Sequence, residues 1–201
     1  MARGSIADRT RLAAFAARRA FSTGMGRFNA HPMLRWRFTS AIADRLLIAP
    51  QDLRTADPTR ASEIYSGRFA FAGKVVICDG RSPFEIEPPS EEWSEQLLGF
   101  GWLRHLRAAD SSITRANARA LVGEWIALQG AFDTLEGWRP DIVARRIISW
   151  LCQAPLVLHD ADMKFYRRFL RNLTRQVRYL HRTVNATPTH VRCGRIIQRT
   201  S

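Results

Sequence analysis

The stretch Gly137-Trp138-Arg139-Pro140-Asp141-Ile142-Val143-Ala144-Arg145-Arg146-Ile147-Ile148-Ser149-Trp150-Leu151 decides how this chain folds. Proline suits a first helical turn, where its missing N–H orphans nothing, and Asp141 complements the positive helix end. From there Val143, Ile147, Trp150, Leu151 and Ala154 recur at helical spacing and make one apolar stripe. Pro155 stops the helix, since it cannot donate and disfavours a helical predecessor. Arg145 and Ser149 point away from the stripe and Arg146 sits at its border. The spacing predicts a core helix with its arginines held off the buried face.

Downstream, Tyr166, Leu170, Leu173, Val177, Leu180 and Val184 step by four and three. Lys164, Arg168, Arg171, Arg175, Arg178 and Arg182 step identically, offset by two residues. At ~100° per residue the two stripes lie on opposite faces of one helix over roughly residues 160–183. Phe165 and Phe169 broaden its buried side, and Tyr166 reads as core. After Thr183 the pattern collapses, and Pro188 and Gly194 forbid a continuing helix.

Upstream, residues 111–130 read as a helix capped by Ser111 or Ser112, with Ala116, Ala120, Leu121, Trp125 and Leu128 along one face. Ser90 caps another, with Trp93 just inside, and Gly99 and Gly101 break it near Phe100. Consecutive helices joined by short loops are expected to pack antiparallel. Before Ser90 the chain is mixed. Phe69-Ala70-Phe71 and Lys74-Val75-Val76-Ile77 around Ala72-Gly73 predict a β-hairpin. Asp57-Pro58 opens a short helix that Gly67 closes. Leu46-Leu47-Ile48 reads as a small strand within an irregular stretch, and residues 6–20 as a basic amphipathic docking helix.

The 201 residues carry a net charge of +13, and of 31 basic residues only Lys74 and Lys164 are lysine. Arginine forks onto carboxylates, sulfates and phosphates, so an acidic polymer partner fits. A GC-rich coding bias accounts for the arginines equally well. Six tryptophans argue for a packed core or a sugar-facing surface. Cys78, Cys152 and Cys193 lack metal-ligand spacing and argue against a disulfide scaffold. The five histidines form no paired metal motif, so neither a metal site nor a cofactor is expected. No apolar run approaches the ~18 residues of a membrane span. The apolar stretch Leu12 to Ala17 is too short for a signal peptide, which points to a cytoplasmic protein, or a periplasmic one if the start codon is misplaced.

Trp93 with Phe100-Gly101-Trp102-Leu103-Arg104-His105-Leu106, Asn117 to Trp125, Gly137-Trp138-Arg139-Pro140 with Arg145-Arg146 and Trp150, and Tyr166-Arg167-Arg168-Phe169-Leu170 together carry a resemblance. They look like the N-terminal α/α-toroid of the heparinase II/III-like polysaccharide lyases, over roughly residues 30–183. The lead-in, with Asp57-Pro58 and the hairpin, is similar to the family's small β-containing segment. The resemblance implies a mainly α fold: an incomplete α/α toroid of antiparallel helices (91–183) after a lead-in (1–90) with short helices and a hairpin, then an irregular tail (184–201).

In that family a β-sandwich follows the toroid, and β-elimination at a uronic acid takes place between the two. A proton beside a carboxylate becomes acidic enough only when the enolate charge is stabilised. The family's catalytic motif lies beyond this chain's end, and Tyr65, Tyr166 and Tyr179 match no catalytic tyrosine. The expectation is therefore a lyase-like fragment without catalytic residues, inactive alone, its tail the product of a frameshift or premature stop. Trp102, His105, Trp138 and Arg146 are its candidate substrate-binding residues. The expected partner is an acidic polysaccharide, and an exposed helical edge invites self-association. The competing class is a basic helical protein that binds nucleic acid or another polyanion without catalysis.

Overall fold

A computed structural model describes residues 43–128 and 136–186. The expected helix at 6–20 and residues 187–201 of the expected irregular tail lie outside the described residues, while residues 184–186 are not irregular but continue the last helix. The described residues fall into two units, those up to residue 177 in the first and residues 178–186 in the second. The first unit holds everything below except the last turns of the final helix. In order the elements are α1 (Thr59–Tyr65), β1 (Arg68–Phe71), β2 (Lys74–Ile77), α2 (Glu91–Leu98), α3 (Leu103–Ala109), α4 (Ser112–Leu128), a 3₁₀ turn (Glu136–Trp138), α5 (Pro140–Cys152), α6 (Ala154–Leu158) and α7 (Met163–Ala186). Among the described residues the protein is mainly α with one two-stranded antiparallel sheet.

Element ends follow local chemistry. Ser90 accepts the Trp93 N–H at 3.3 Å and opens α2, whose first turn carries Glu91 and Glu92 against the helix dipole. Asp57 accepts from the Thr59 amide at 2.9 Å and so serves α1, although Pro58 is the last residue before it. Ser111 Oγ accepts from the Thr114 amide at 3.1 Å at the start of α4. In the hairpin, Ala72 (φ 48°) and Gly73 (φ 73°) are both left-handed, as a two-residue turn of that twist requires. Arg68 pairs with Ile77 and Ala70 with Val75, which turns Phe69 and Phe71 into the core and leaves Val75 and Ile77 outside. Leu46-Leu47-Ile48 forms no strand: it is irregular, and Leu47 and Ile48 are both 76% exposed.

The break near Phe100 occurs, but the left-handed residue there is Phe100 itself (φ 56°), not a glycine. Such a conformation costs a non-glycine residue of order 1–3 kcal/mol. Packing offsets it, for Phe100 is completely buried and meets Trp125 at 5.7 Å and Trp150 at 5.5 Å, both edge-on, and Phe84 stacked at 5.6 Å. Trp125 and Trp150 meet edge-on at 5.5 Å, and Trp150 stacks on Phe169 at 5.0 Å. Each such pair adds about 0.5–1.5 kcal/mol beyond area burial. The hairpin joins this core through Phe69 against Trp102 and through the Trp93 indole N–H, which donates to the Phe69 carbonyl.

Trp150 facing Phe169 and Arg146 facing Gln176 set α5 antiparallel to α7. Both helices exist where expected, yet their buried faces extend beyond the expected stripes. On α5, Arg146 and Ser149 are buried together with Ile142, Val143, Ile147 and Trp150; Arg145 and Ile148 are the exposed positions. On α7 the buried residues include Phe165, Phe169, Asn172, Gln176 and Tyr179 besides Leu170 and Leu173, whereas Val177 and Val184 are exposed. Most of the expected stripe is buried (Val143, Ile147, Trp150 and Ala154; Phe165, Phe169, Leu170 and Leu173), but the buried face is broader and leans toward Ile142, Arg146 and Ser149 on α5 and toward Asn172 and Gln176 on α7. On α4 the buried positions include Ala118, Leu121, Val122 and Trp125, while Ala116 and Ala120 are exposed.

The segment before α1 is an extended strap. Ala43 N–H donates to Thr174 Oγ1 at 3.5 Å, and Leu46 N–H to the Tyr166 hydroxyl at 3.3 Å. Tyr166 is thus half-buried beneath the strap and not a core residue. Farther along, Gln153 donates to Asp52, Arg104 to the Thr55 carbonyl, and Asp57 N–H to His105.

Candidate functional site

The four candidate binding residues are all interior. Trp102, His105, Trp138 and Arg146 are between 0% and 6% exposed. Trp102 donates its indole N–H to the Leu97 carbonyl at 3.0 Å and packs on Phe69 and Phe100. Trp138 lies under the Arg175 guanidinium, 5.6 Å from its ring centre. It also borders a cavity of about 310 Å³, walled by Pro83, Phe84, Leu97 and Trp125. The structure brings Trp138 and Arg146 into one neighbourhood, because Arg146 donates to the carbonyl of adjacent Gly137. Trp102 and His105 belong to the hairpin and strap side.

Arg146 is the focal charge of the interior. Nε donates to Gln176 Oε1 at 2.6 Å, Nη1 to the Leu98 carbonyl at 3.1 Å and Nη2 to the Gly137 carbonyl at 2.9 Å. Its plane sits 4.2 Å from the Trp125 ring centre. A guanidinium keeps its charge in any such place and needs every N–H answered. One residue therefore ties α5 to α2, α4, α7 and the 3₁₀ turn. Gln176 in turn donates to Asn172 at 2.7 Å, which is why two amides occupy the inner face of α7.

His105 is nearly buried and accepts the Asp57 N–H on Nδ1 at 2.9 Å, so its proton sits on Nε2. Burial, then the nearby Arg104 and Arg60 charges, push its pKa down to about 4. It is a neutral anchor for the strap. Cys78 and Cys152 are buried free thiols that burial pushes above the ordinary thiol range; Cys193 lies outside the described residues. Among the described residues no group of three or more His, Cys, Asp and Glu side chains could hold a metal ion, and no helix is long and apolar enough to cross a membrane.

The exposed chemistry is cationic. α7 spans 24 residues and contains Lys164, Arg167, Arg168, Arg171, Arg175, Arg178 and Arg182 without one Asp or Glu. By helical period the seven fall within roughly 100° of its circumference. Lys164, Arg167, Arg168 and Arg171 are exposed. Arg175 is half-buried on Trp138, and Arg168 leans over the Phe165 ring at 5.9 Å. Carboxylates gather elsewhere: Glu91, Glu95 and Asp141 surround Arg139, with Arg145 also on Glu95 and Asp141.

The basic stripe of α7 was visible in the sequence, and the helix keeps most of it exposed. The buried Arg146–Gln176–Asn172 chain was not visible, because polar residues at interior positions carry no apolar signal. Comparison of the chain with family models, with curated proteins and with solved structures finds no match.

Proposed function

We propose that this chain is a non-catalytic helical module that holds an acidic polysaccharide against the basic face of α7. The observation that carries this is the exposed series Lys164, Arg167, Arg168 and Arg171 on a 24-residue helix without one Asp or Glu. Such a linear array matches the repeat of a charged polymer better than it matches a small ligand. Its attraction is sequence-independent and weakened by salt. Bases stack on aromatic rings in single-strand binders, and this face offers arginines without interleaved rings. That favours a saccharide over a nucleic acid. The resemblance to the lyase toroid supports the same choice and casts these helices as part of a toroid wall. Trp102, His105, Trp138 and Arg146 then act by holding that wall together.

The test is calorimetric binding of a uronate-containing polymer and of single-stranded DNA to the purified chain across a salt series. We expect the polysaccharide to bind and a K164Q/R167Q/R171Q variant to lose about three units of the log–log salt slope. Unchanged affinity in that variant, or clear preference for DNA, overturns the proposal. Incubation with the polymer, followed in the ultraviolet for unsaturated product, is expected to show no turnover; sustained turnover overturns the non-catalytic part.

A further inference from the structure

A second concentration of positive charge lies away from α7, where the strap crosses the α2–α3 junction. A Cβ built on Gly101 would lie 3.3 Å from Arg104 Nη1 and 3.5 Å from Arg54 Nη1. Two guanidinium groups therefore converge on one point above a glycine. Like charges do not gather unless something holds them, and both are held. Arg104 is clamped by two carbonyls, Nε on Thr55 at 2.9 Å and Nη1 on Gly101 at 2.6 Å. Arg54 is clamped by both carboxylate oxygens of Asp52, Nε at 2.9 Å and Nη2 at 2.8 Å. Gln153, itself buried, donates to Asp52 from below at 3.0 Å.

These clamps leave donors pointing elsewhere. Among the described residues Arg54 Nη1 and Arg104 Nη2 make no hydrogen bond, and the Arg54 side chain is 49% exposed. Arg60 on α1 is exposed and makes no ion pair among the described residues, and its charge is felt here, since burial, then Arg54 and Arg60, hold Arg104 below its ordinary range. The nearby carboxylates are already engaged, Asp52 by Arg54 and Asp57 by the start of α1. Positive charge is thus gathered, oriented and only partly answered from within the chain.

We propose that Arg54 and Arg104, converging over Gly101 with Arg60 beside them, form a discrete site for a tetrahedral oxyanion, a sulfate or phosphate-ester group of a ligand. The chemistry is that of arginine forks: rigid, permanently charged donors that match oxyanion geometry. Gly101 supplies the room, because a side chain there would occupy the point on which the nitrogens converge. The site stands whether or not α7 binds a polymer. If both bind, a sulfated or phosphorylated saccharide satisfies them together.

The test titrates inorganic sulfate, and separately inorganic phosphate, into the full chain at fixed ionic strength, with chloride and acetate as controls, reading calorimetry and the thermal midpoint. We expect sulfate or phosphate to bind and raise the midpoint while the controls do not. Gly101→Ala should weaken binding about tenfold and Arg60→Gln by a smaller factor, with K164Q/R167Q/R171Q unchanged. Arg104→Gln also loosens the strap, so Gly101→Ala and Arg60→Gln, which remove no bond of the fold, are the deciding variants. Tighter binding of sulfate than phosphate assigns a sulfated ligand, and the reverse a phosphorylated one. Sulfate and phosphate binding no better than acetate, or binding that survives Gly101→Ala but is lost in the α7 variant, overturns the proposal.

Discussion

Arg146 Nε meets Gln176 Oε1 at 2.6 Å across the α5–α7 contact, with both side chains completely buried. This bond explains why α7 turns amides toward the core and leaves Val177 outside. It also predicts an unusually sensitive position. Arg146→Met leaves Gln176 and the Leu98 and Gly137 carbonyls without their donor and should cost about 3 kcal/mol or more in urea unfolding. Arg146→Lys should rescue little, since an ammonium cannot reach three divergent acceptors. A double-mutant cycle with Gln176→Leu should give a coupling of about 1–3 kcal/mol; additive losses would contradict the pairing.

Acid should loosen the strap before it attacks carboxylates. His105 is neutral in the fold, with its pKa lowered from 6.5 to about 4. The unfolded chain therefore binds the extra proton first, and stability falls as pH drops from about 6.5 to 4. Asp52, held down to about 2 chiefly by its bond with Arg54, is lost in a lower window, from 3.8 toward 2. His105→Asn keeps an acceptor for the Asp57 amide and cannot titrate. Thermal midpoints against pH should flatten between pH 6.5 and 4 in that variant, while the lower window persists.

Three buried indoles should rank by their hydrogen bonds. Trp93 and Trp102 donate to the carbonyls of Phe69 and Leu97, whereas the Trp150 indole N–H is buried without a partner among the described residues. Replacement of each by phenylalanine removes similar area, but only the first two leave an unanswered carbonyl, worth about 1–3 kcal/mol. Trp150→Phe should be the mildest of the three in chemical unfolding. A Trp150→Phe loss equal to or greater than the others would refute that order.

Arg139 joins Glu91 at 2.5 Å, Glu95 at 2.8 Å and Asp141 at 3.1 Å, tying the start of α5 to α2. Networked ion pairs exceed isolated surface pairs, but exposure keeps the gain near ~1 kcal/mol. Arg139→Gln should cost about that much at low salt and much less in 1 M sodium chloride, where the Debye length is about 3 Å. A salt-independent loss would assign Arg139 to packing instead.

The sequence by itself determined how several elements begin, but not that α5 ends at Cys152 or that Pro155, expected to stop the helix, sits in the first turn of a further one, α6, where its missing N–H is harmless. Ser90, Asp57, Pro140 and the Ala72-Gly73 turn act on neighbours a few residues away, so their effect is readable locally. It also determined the cationic stripe of α7, because Lys164, Arg168, Arg171, Arg175, Arg178 and Arg182 at helical spacing need no partner to be recognised. It did not determine how far the buried faces of the helices extend. Arg146, Ser149, Asn172 and Gln176 look like surface residues, yet they are interior. A buried polar group is tolerated only when its partners arrive, and those of Arg146 come from Leu98, Gly137 and Gln176, brought together by the packing of other elements. The same holds for Arg54 and Arg104, which a strap crossing α3 sets over Gly101. Tertiary structure decided these because hydrogen bonding between distant residues leaves no periodic trace along the chain.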